Sequence, residues 1–220
     1  MKTRVWDKFI HPITGYFRKK RGLLIRQLFP DIRDYKICDL GGSIHFWEKL
    51  GIDIDPRNIT IYNISLSETD SFKKRHSEGF NIVIYDGKTI PDQNNMYDLL
   101  VCNSVIEHVP IKQRNALIIE MQRVSKRIIL QTPAYEFFIE PHFIFPFIHW
   151  LPKKLGRLFV EISPWRILSH PDKNTIQNYF WCTSLLKHRE VINLLPDCDI
   201  HREKFIGLTK SYIVICNKDN

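Results

Sequence analysis

Lys36 to Leu50 reads KICDLGGSIHFWEKL, and its interpretation decides the fold. Lys36 to Leu40 is a short, mostly apolar run of the kind that forms a strand buried on both faces. Gly41 and Gly42 interrupt it, and Ile44 to Leu50 suits a short helix straight after the glycine pair. A strand, a glycine turn and a helix in that order open a doubly wound α/β sheet.

Working outward, four more strand-like runs follow: Ile59 to Ile64 (ITIYNI), Phe80 to Tyr85 (FNIVIY), Tyr97 to Cys102 (YDLLVC) and Arg127 to Leu130 (RIIL). Lys112 to Val124 places Leu117, Met121 and Val124 on one face at helical spacing. Ser184 to Leu195 reads as a helix ended by Pro196. Ile200 to Ile206 and Ser211 to Cys216 are then two strands, joined by the four residues Gly207 to Lys210 as a hairpin. The expected fold is α/β: a doubly wound, mostly parallel seven-stranded sheet that ends in an antiparallel hairpin. No repeat or low-complexity linker divides the chain. The reading is a basic helical segment over residues 1–34 and one domain over residues 35–220. Within it, residues 133–183 are too long for a simple connection. They carry the aromatic run YEFFIEPHFIFPFIHW, where Pro141 and Pro146 prevent a single helix. Tyr135, Phe137, Phe138, Phe143, Phe145 and Trp150 suit either core packing or a lid over a site.

The chain has 220 residues, 44% hydrophobic and 25% charged, which is the composition of a globular protein. No apolar run approaches the ~20 residues of a spanning helix, and the first residues lack an apolar signal region. The net charge is +8, and the first 36 residues carry seven of those charges, with ten Lys or Arg against three Asp or Glu. The rest is nearly neutral, which argues against a nucleic-acid cleft. The run Arg18-Lys19-Lys20-Arg21 is open to two readings. One is the solvated face of a helix packed by Phe17, Leu24, Ile25, Leu28 and Phe29; the other is a face toward an anionic membrane or acidic substrate. The five cysteines are odd in number and lack metal-ligand spacing. Cys38, Cys102 and Cys216 lie in apolar runs, as free buried thiols do, which points to a reducing cytoplasm.

Candidate site residues stand at the strand ends, where open α/β sheets hold ligands. In Asp39-Leu40-Gly41-Gly42-Ser43 the glycines let the backbone approach a ligand closely; the plain alternative is a βα turn. The glycine pattern of a dinucleotide site fails at Ser43 and Phe46. Asn63 stands about 20 residues on, where a ribose-binding acid is expected. Asp53 and Asp55 come too early and read as a loop. Asp86-Gly87 can accept from an adenine amino group, or serve only as a turn. Asn103 to Pro110 (NSVIEHVP) follows the fourth strand, and there His108 suits a base or an orienting group.

Taken together, CDLGGS, ITIYNIS, VIYDG, YDLLVCNSVIEHVP and the ending KFIGLTKSYIVIC resemble a class I S-adenosylmethionine-dependent methyltransferase. The resemblance covers residues 35–216 in fold, and residues 36–110 in cofactor motifs. It implies that Asp39, Gly41, Gly42 and Ser43 wrap the methionine part of S-adenosylmethionine, that Asn63 holds the ribose, and that Asp86 and Gly87 meet the adenine. Asn103 and Ser104 would border methionine and acceptor. Ser43 and His45 replace later glycines of the family pattern, and Asn63 replaces its acid. The Asn/Asp-Pro-Pro-Tyr/Phe signature and the Pro-Cys nucleophile are both absent, which again argues against nucleic acid. TPAYEFFIEPHFIFPFIHWLP is similar to an acceptor-side segment of some bacterial members.

Methyl transfer is an in-line displacement in which alignment supplies much of the catalysis. An oxygen acceptor also has a proton to lose. The candidate bases are His108 and His142, with Glu107 or Glu140 behind them, and no metal site is read. The expected acceptor is a small molecule, a sugar or a lipid-linked compound. The expected location is the cytoplasm, with the basic N-terminus and the aromatic segment as a peripheral membrane contact. Two other classes are kept: a non-catalytic binding protein of the same fold, and a nicotinamide-dependent oxidoreductase.

Overall fold

The computed structural model describes residues 3–65 and 79–218. Seven strands form one sheet: β1 (Ile37–Leu40), β2 (Ile59–Asn63), β3 (Asn81–Ile84), β4 (Leu99–Asn103), β5 (Arg127–Pro133), β8 (Asp199–Phe205) and β9 (Leu208–Asn217). Their order is β3-β2-β1-β4-β5-β9-β8. The first five are parallel, while β9 runs antiparallel to β5, and β8 to β9. The expected doubly wound sheet with a reversed end is what the chain adopts. Strand order reverses between β1 and β4, which opens a crevice at their carboxyl ends.

Period-two alternation explains how the sheet is covered. Ile37, Ile59, Ile61, Leu99, Val101 and Ile129 share one buried cluster. That face is covered by α1 (Thr3–Leu28), through Ile25, and by α2 (Ile44–Leu50), through Ile44, Phe46, Trp47 and Leu50. Cys38, Leu40, Leu100, Cys102, Ile128 and Leu130 point the other way. They pack on Leu117, Ile118, Met121 and Val124 of α3 (Ile111–Val124) and on Val191 of the short helix α7 (His188–Leu194). Each such fully buried aliphatic side chain contributes about 1.5–3 kcal/mol.

Residues 133–183 form an excursion. Ala134 bridges Leu186, so the chain leaves and rejoins the sheet at one place. In between lie the two-residue strands β6 (Ile139–Glu140) and β7 (Phe145–Pro146), and the helices α4 (Lys153–Val160), α5 (Pro164–Ser169) and α6 (Lys173–Cys182). Phe143, Ile148, Val160, Ile176 and Phe180 make a small separate core. The aromatic run is therefore divided. Phe137 packs on the main core and Phe143 on the small one, while Trp150 is exposed.

Four readings need correction. The hairpin turn is two residues, Ile206 and Gly207, with Phe205 opposite Leu208, rather than four. Both turn residues have positive φ (52° and 78°), the turn whose twist matches paired strands, and a bulge at Glu203/Lys204 restores register. The helix expected from Ser184 begins only at His188, because Ser184 and Leu186 are occupied by backbone bonds to Glu107 and Tyr135. Cys216 is not a free thiol: it is bonded to Cys198, which lies beside it across the hairpin. Cys38, Cys102 and Cys182 are free, so the cysteines no longer argue for a reducing compartment. Finally, Arg18 and Arg21 do not belong to a solvated face. They turn inward, and only Lys19 and Lys20 of the run are exposed. Among the described residues no helix is long and apolar enough to cross a membrane.

Candidate active site

The end of β1 is built around Asp39. Alternation sends its side chain toward α2, where it is fully buried and its Oδ2 accepts from Trp47 Nε1 at 2.7 Å. Its Oδ1 has no partner. Burial pushes the carboxyl up to about 7, against the pull of the Trp47 bond. The glycines after it are steric necessities. Gly41 has φ +67°, and a Cβ there would meet Val105 at 2.6 Å. A Cβ on Gly42 would fall 1.7–2.2 Å from the three carboxyl atoms of Asp39. Ser43, where the family pattern has another glycine, caps α2 by accepting from Phe46 N at 3.3 Å.

Asn63 ends β2, buried, and its Nδ2 donates to the Gly42 carbonyl at 3.1 Å. A carboxylate could not make that bond. The departure from the family's acid thus has a local cause: the amide braces the glycine turn. Asp86 follows β3 on the surface. Its Oδ1 accepts from the backbone N–H groups of Lys88 and Thr89, both at 2.8 Å, which hold its carboxyl below the usual range. Gly87 beside it has φ +76°. The turn reading of Asp86-Gly87 therefore describes the contacts the side chain makes.

Asn103 ends β4 and Ser104 follows it. Ser104 has φ +56°, uncommon for a residue with a side chain, and is held there by two bonds to Gln131: its N–H to the carbonyl at 2.9 Å and its Oγ to Oε1 at 2.8 Å. Asn103 Oδ1 accepts from Arg21 Nη1 at 2.8 Å. Arg21 also grips Glu203 of β8 in a bidentate pair, at 3.0 and 2.8 Å. Burial raises the Glu203 carboxyl, but Arg21, with Lys210 and Ser211, overrides this and holds it down at about 2. Gln131, Glu203 and Lys210 escape a reading of the sequence. Only the Arg18–Arg21 charge run hints that this helix serves the site.

A cavity of about 300 Å³ lies here. Asn103, Ser104 and Gln131 line its sheet side, Phe137, Ile139 and Phe205 its apolar side, and Arg18, Arg21 and Lys210 add positive charge. Arg18 Nη1 is buried without a partner.

The candidate bases converge after β4. His108 Nε2 is 3.2 Å from His142 Nε2, although the two are 34 residues apart. His142 Nδ1 meets Glu140 Oε1 at 2.6 Å, and His108 Nδ1 meets Thr183 Oγ1 at 3.1 Å. Glu107 is fully buried, its Oε2 accepting from Thr132 Oγ1 at 3.1 Å and its Oε1 unpartnered. Burial raises the Glu107 carboxyl to about 7. Burial, reinforced by His142, lowers His108 to about 4. Burial also pulls His142 down, but the Glu140 carboxylate outweighs it and the net shift is upward. Asp53 and Asp55 are loop residues, each facing an arginine, as expected.

Residues 39–127 match the model of the methyltransferase domain family. Among solved structures, magnesium protoporphyrin IX methyltransferase from Synechocystis PCC 6803, with bound S-adenosylhomocysteine, is 15% identical with a TM-score of 0.57, covering 92% of this chain and 82% of that one. A protein from Pyrococcus horikoshii OT3 is 17% identical with a TM-score of 0.56, covering 91% and 90%. The 1,6-didemethyltoxoflavin-N1-methyltransferase of Burkholderia thailandensis is 10% identical with a TM-score of 0.52, covering 90% and 76%. At these identities the likeness is one of fold. No curated protein matches the sequence. The matched residues run from the glycine turn through the base-bearing segment after β4, so over that stretch the chain is similar to the methyltransferase domain family, and in fold to S-adenosylmethionine-dependent methyltransferases.

Proposed function

We propose that the protein methylates an oxygen of a small acceptor that combines an apolar body with an anionic group. The observation that carries this reading is the cavity beside Asn103 and Ser104. Its walls are aromatic and aliphatic, and Arg18, Arg21 and Lys210 line it, of which Arg21 and Lys210 share one carboxylate, Glu203. A buried guanidinium nitrogen without a partner is costly unless a ligand acceptor completes it.

In this reading the residues at the ends of β1 to β4 would hold S-adenosylmethionine. Gly41, Gly42 and Ser43 face its methionine part with Asp39 beneath. Asn63 would accept from a ribose hydroxyl through Oδ1, Asp86 and Gly87 would meet the adenine edge, and Asn103 and Ser104 would border methionine and acceptor. S-adenosylmethionine would supply the methyl group in an in-line displacement at its sulfonium, and one of Glu107, His108 and His142 would take the hydroxyl proton. The products would be S-adenosylhomocysteine, the methyl ether of the acceptor and a proton. The excursion over residues 133–183 serves as the acceptor-side wall.

The test is transfer of labelled methyl from S-adenosylmethionine to a panel of aromatic and aliphatic hydroxy acids and their neutral analogues. Acidic members are expected to be the substrates, and Arg18→Ala to raise their KM at least tenfold with cofactor affinity unchanged. Equal turnover of neutral analogues would refute the acceptor class.

A lipid-linked acceptor is favoured by one further observation. Leu155, Leu158, Phe159 and Ile162 are exposed on and after α4, beside Lys153, Lys154 and Arg157. An apolar stripe flanked by cations suits an anionic bilayer surface. Co-sedimentation with anionic vesicles at low salt, lost in Leu158→Glu, is the expected result; no co-sedimentation of the unaltered protein would exclude it.

A further inference from the structure

We infer that Glu107, His108 and His142 form a binding site for a first-row transition-metal dication. Each offers one ligand atom, and the three atoms lie within 4.8 Å of one another. The two Nε2 atoms are 3.2 Å apart. With metal–nitrogen bonds of about 2.0–2.1 Å, adjacent donors of a tetrahedral or octahedral site stand about 3.0–3.4 Å apart. The rings are thus already spaced as neighbouring ligands.

Their other nitrogens are held as ligating histidines usually are. Glu140 Oε1 holds His142 Nδ1, and Thr183 Oγ1 holds His108 Nδ1, which leaves both Nε2 atoms facing one another. Glu140 is itself fixed, its Oε2 accepting from Phe143 N at 2.8 Å. The Tyr179 ring packs against both imidazoles.

A hydrogen bond between the two rings accounts for the 3.2 Å separation alone, but it leaves the second carboxylate unexplained. Glu107 is fully buried with Oε1 unpartnered, although its other oxygen is satisfied by Thr132. A cation between the rings supplies what that oxygen lacks. Two imidazoles and one carboxylate suit zinc, manganese, iron(II) or cobalt better than magnesium or calcium, which prefer all-oxygen sites. Three protein ligands leave a position for an exogenous oxygen. If the acceptor reading above holds, that position would receive the acceptor hydroxyl and lower its pKa, in place of the proton-accepting role that these three residues could play only when unligated. The binding claim does not depend on that reading.

The test uses chelator-treated, full-length protein titrated with zinc chloride by calorimetry, and with cobalt(II) chloride by visible absorption. One equivalent of each is expected to bind at micromolar affinity or better, with cobalt giving ligand-field bands. Glu107→Gln keeps the side-chain shape and removes a buried charge, so it is expected to fold. It and His142→Ala are expected to lose at least tenfold and a hundredfold in affinity, respectively, and Thr183→Ala about tenfold. Circular dichroism establishes that each variant is folded. Absence of saturable binding by the unaltered protein would overturn the proposal. So would equal affinity in unaltered protein and Glu107→Gln.

Discussion

Gly42→Ala is expected to abolish S-adenosylmethionine binding, lowering affinity at least a hundredfold, or about 2.7 kcal/mol. The reason is steric and local. The new methyl would sit 1.7 Å from Asp39 Oδ2 and 2.2 Å from Oδ1, and Asp39 has nowhere to go. Its carboxyl is fully buried under α2 and pinned by Trp47. Either the carboxyl swings and releases Trp47, or the turn shifts and the Asn63 brace on the Gly42 carbonyl is lost. Both outcomes deform the turn that would hold the methionine part of the cofactor. Overpacking of this kind costs about 1–3 kcal/mol, so the melting temperature should fall by roughly 2–12 °C. Gly15→Ala is the matched control. It lies in α1, where a methyl would enter open space with no neighbouring atom within 4 Å, and it should leave binding unchanged while raising stability slightly. Calorimetric titration and thermal melts of the two variants check both parts.

Arg21→Met is expected to destabilise the protein by about 3–5 kcal/mol, the usual consequence of leaving half of a buried ion pair. Glu203 would keep Lys210 and Ser211 but lose two of its four bonds. Asn103 would lose its tie to α1 as well. The pH dependence has a definite sign. Glu203 is held at about 2, below its ordinary value of 4.5, so the pair's contribution is fully present above pH 4.5. It is lost as pH falls from there toward 2. The unaltered protein should therefore lose stability across that window, and Arg21→Met should lose much less. The double variant Arg21→Met, Glu203→Leu should recover only part of the loss at neutral pH, because it removes both halves of the bidentate pair but leaves Lys210 without its carboxylate. Urea unfolding of the four proteins (unaltered, each single variant and the double) at about pH 7 and pH 3 measures each quantity.

The fold is legible because its strands are compact apolar runs and its helices stand between them. Lys36 to Leu50 yields β1, the glycine turn and α2 within a residue, since each depends on neighbours a few positions away. What escapes depends on distant pairs. Arg21 and Glu203 are 182 residues apart, and nothing local distinguishes Glu203 from any exposed strand acid. His108 and His142 read as separate candidate bases. Their contact exists because Pro141 and Pro146 break the aromatic run into a small hairpin that turns His142 back toward β4. Cys198 and Cys216 face each other only through the register that the bulge at Glu203/Lys204 sets. Asn63 reads as a weakened ribose ligand, and its donation to Gly42 emerges only with the turn in place. Asp86, expected at the adenine, spends one oxygen on its own turn, which no spacing argument could weigh.

The claim on which the rest depends is that the carboxyl ends of β1 to β4 hold S-adenosylmethionine. Calorimetric titration of the full-length protein with S-adenosylmethionine and S-adenosylhomocysteine, alongside Gly42→Ala, tests it most directly. One site per chain with micromolar affinity for both compounds is expected, and its loss in the variant. A folded protein that binds neither compound, or a variant that binds as well as the unaltered chain, would contradict it.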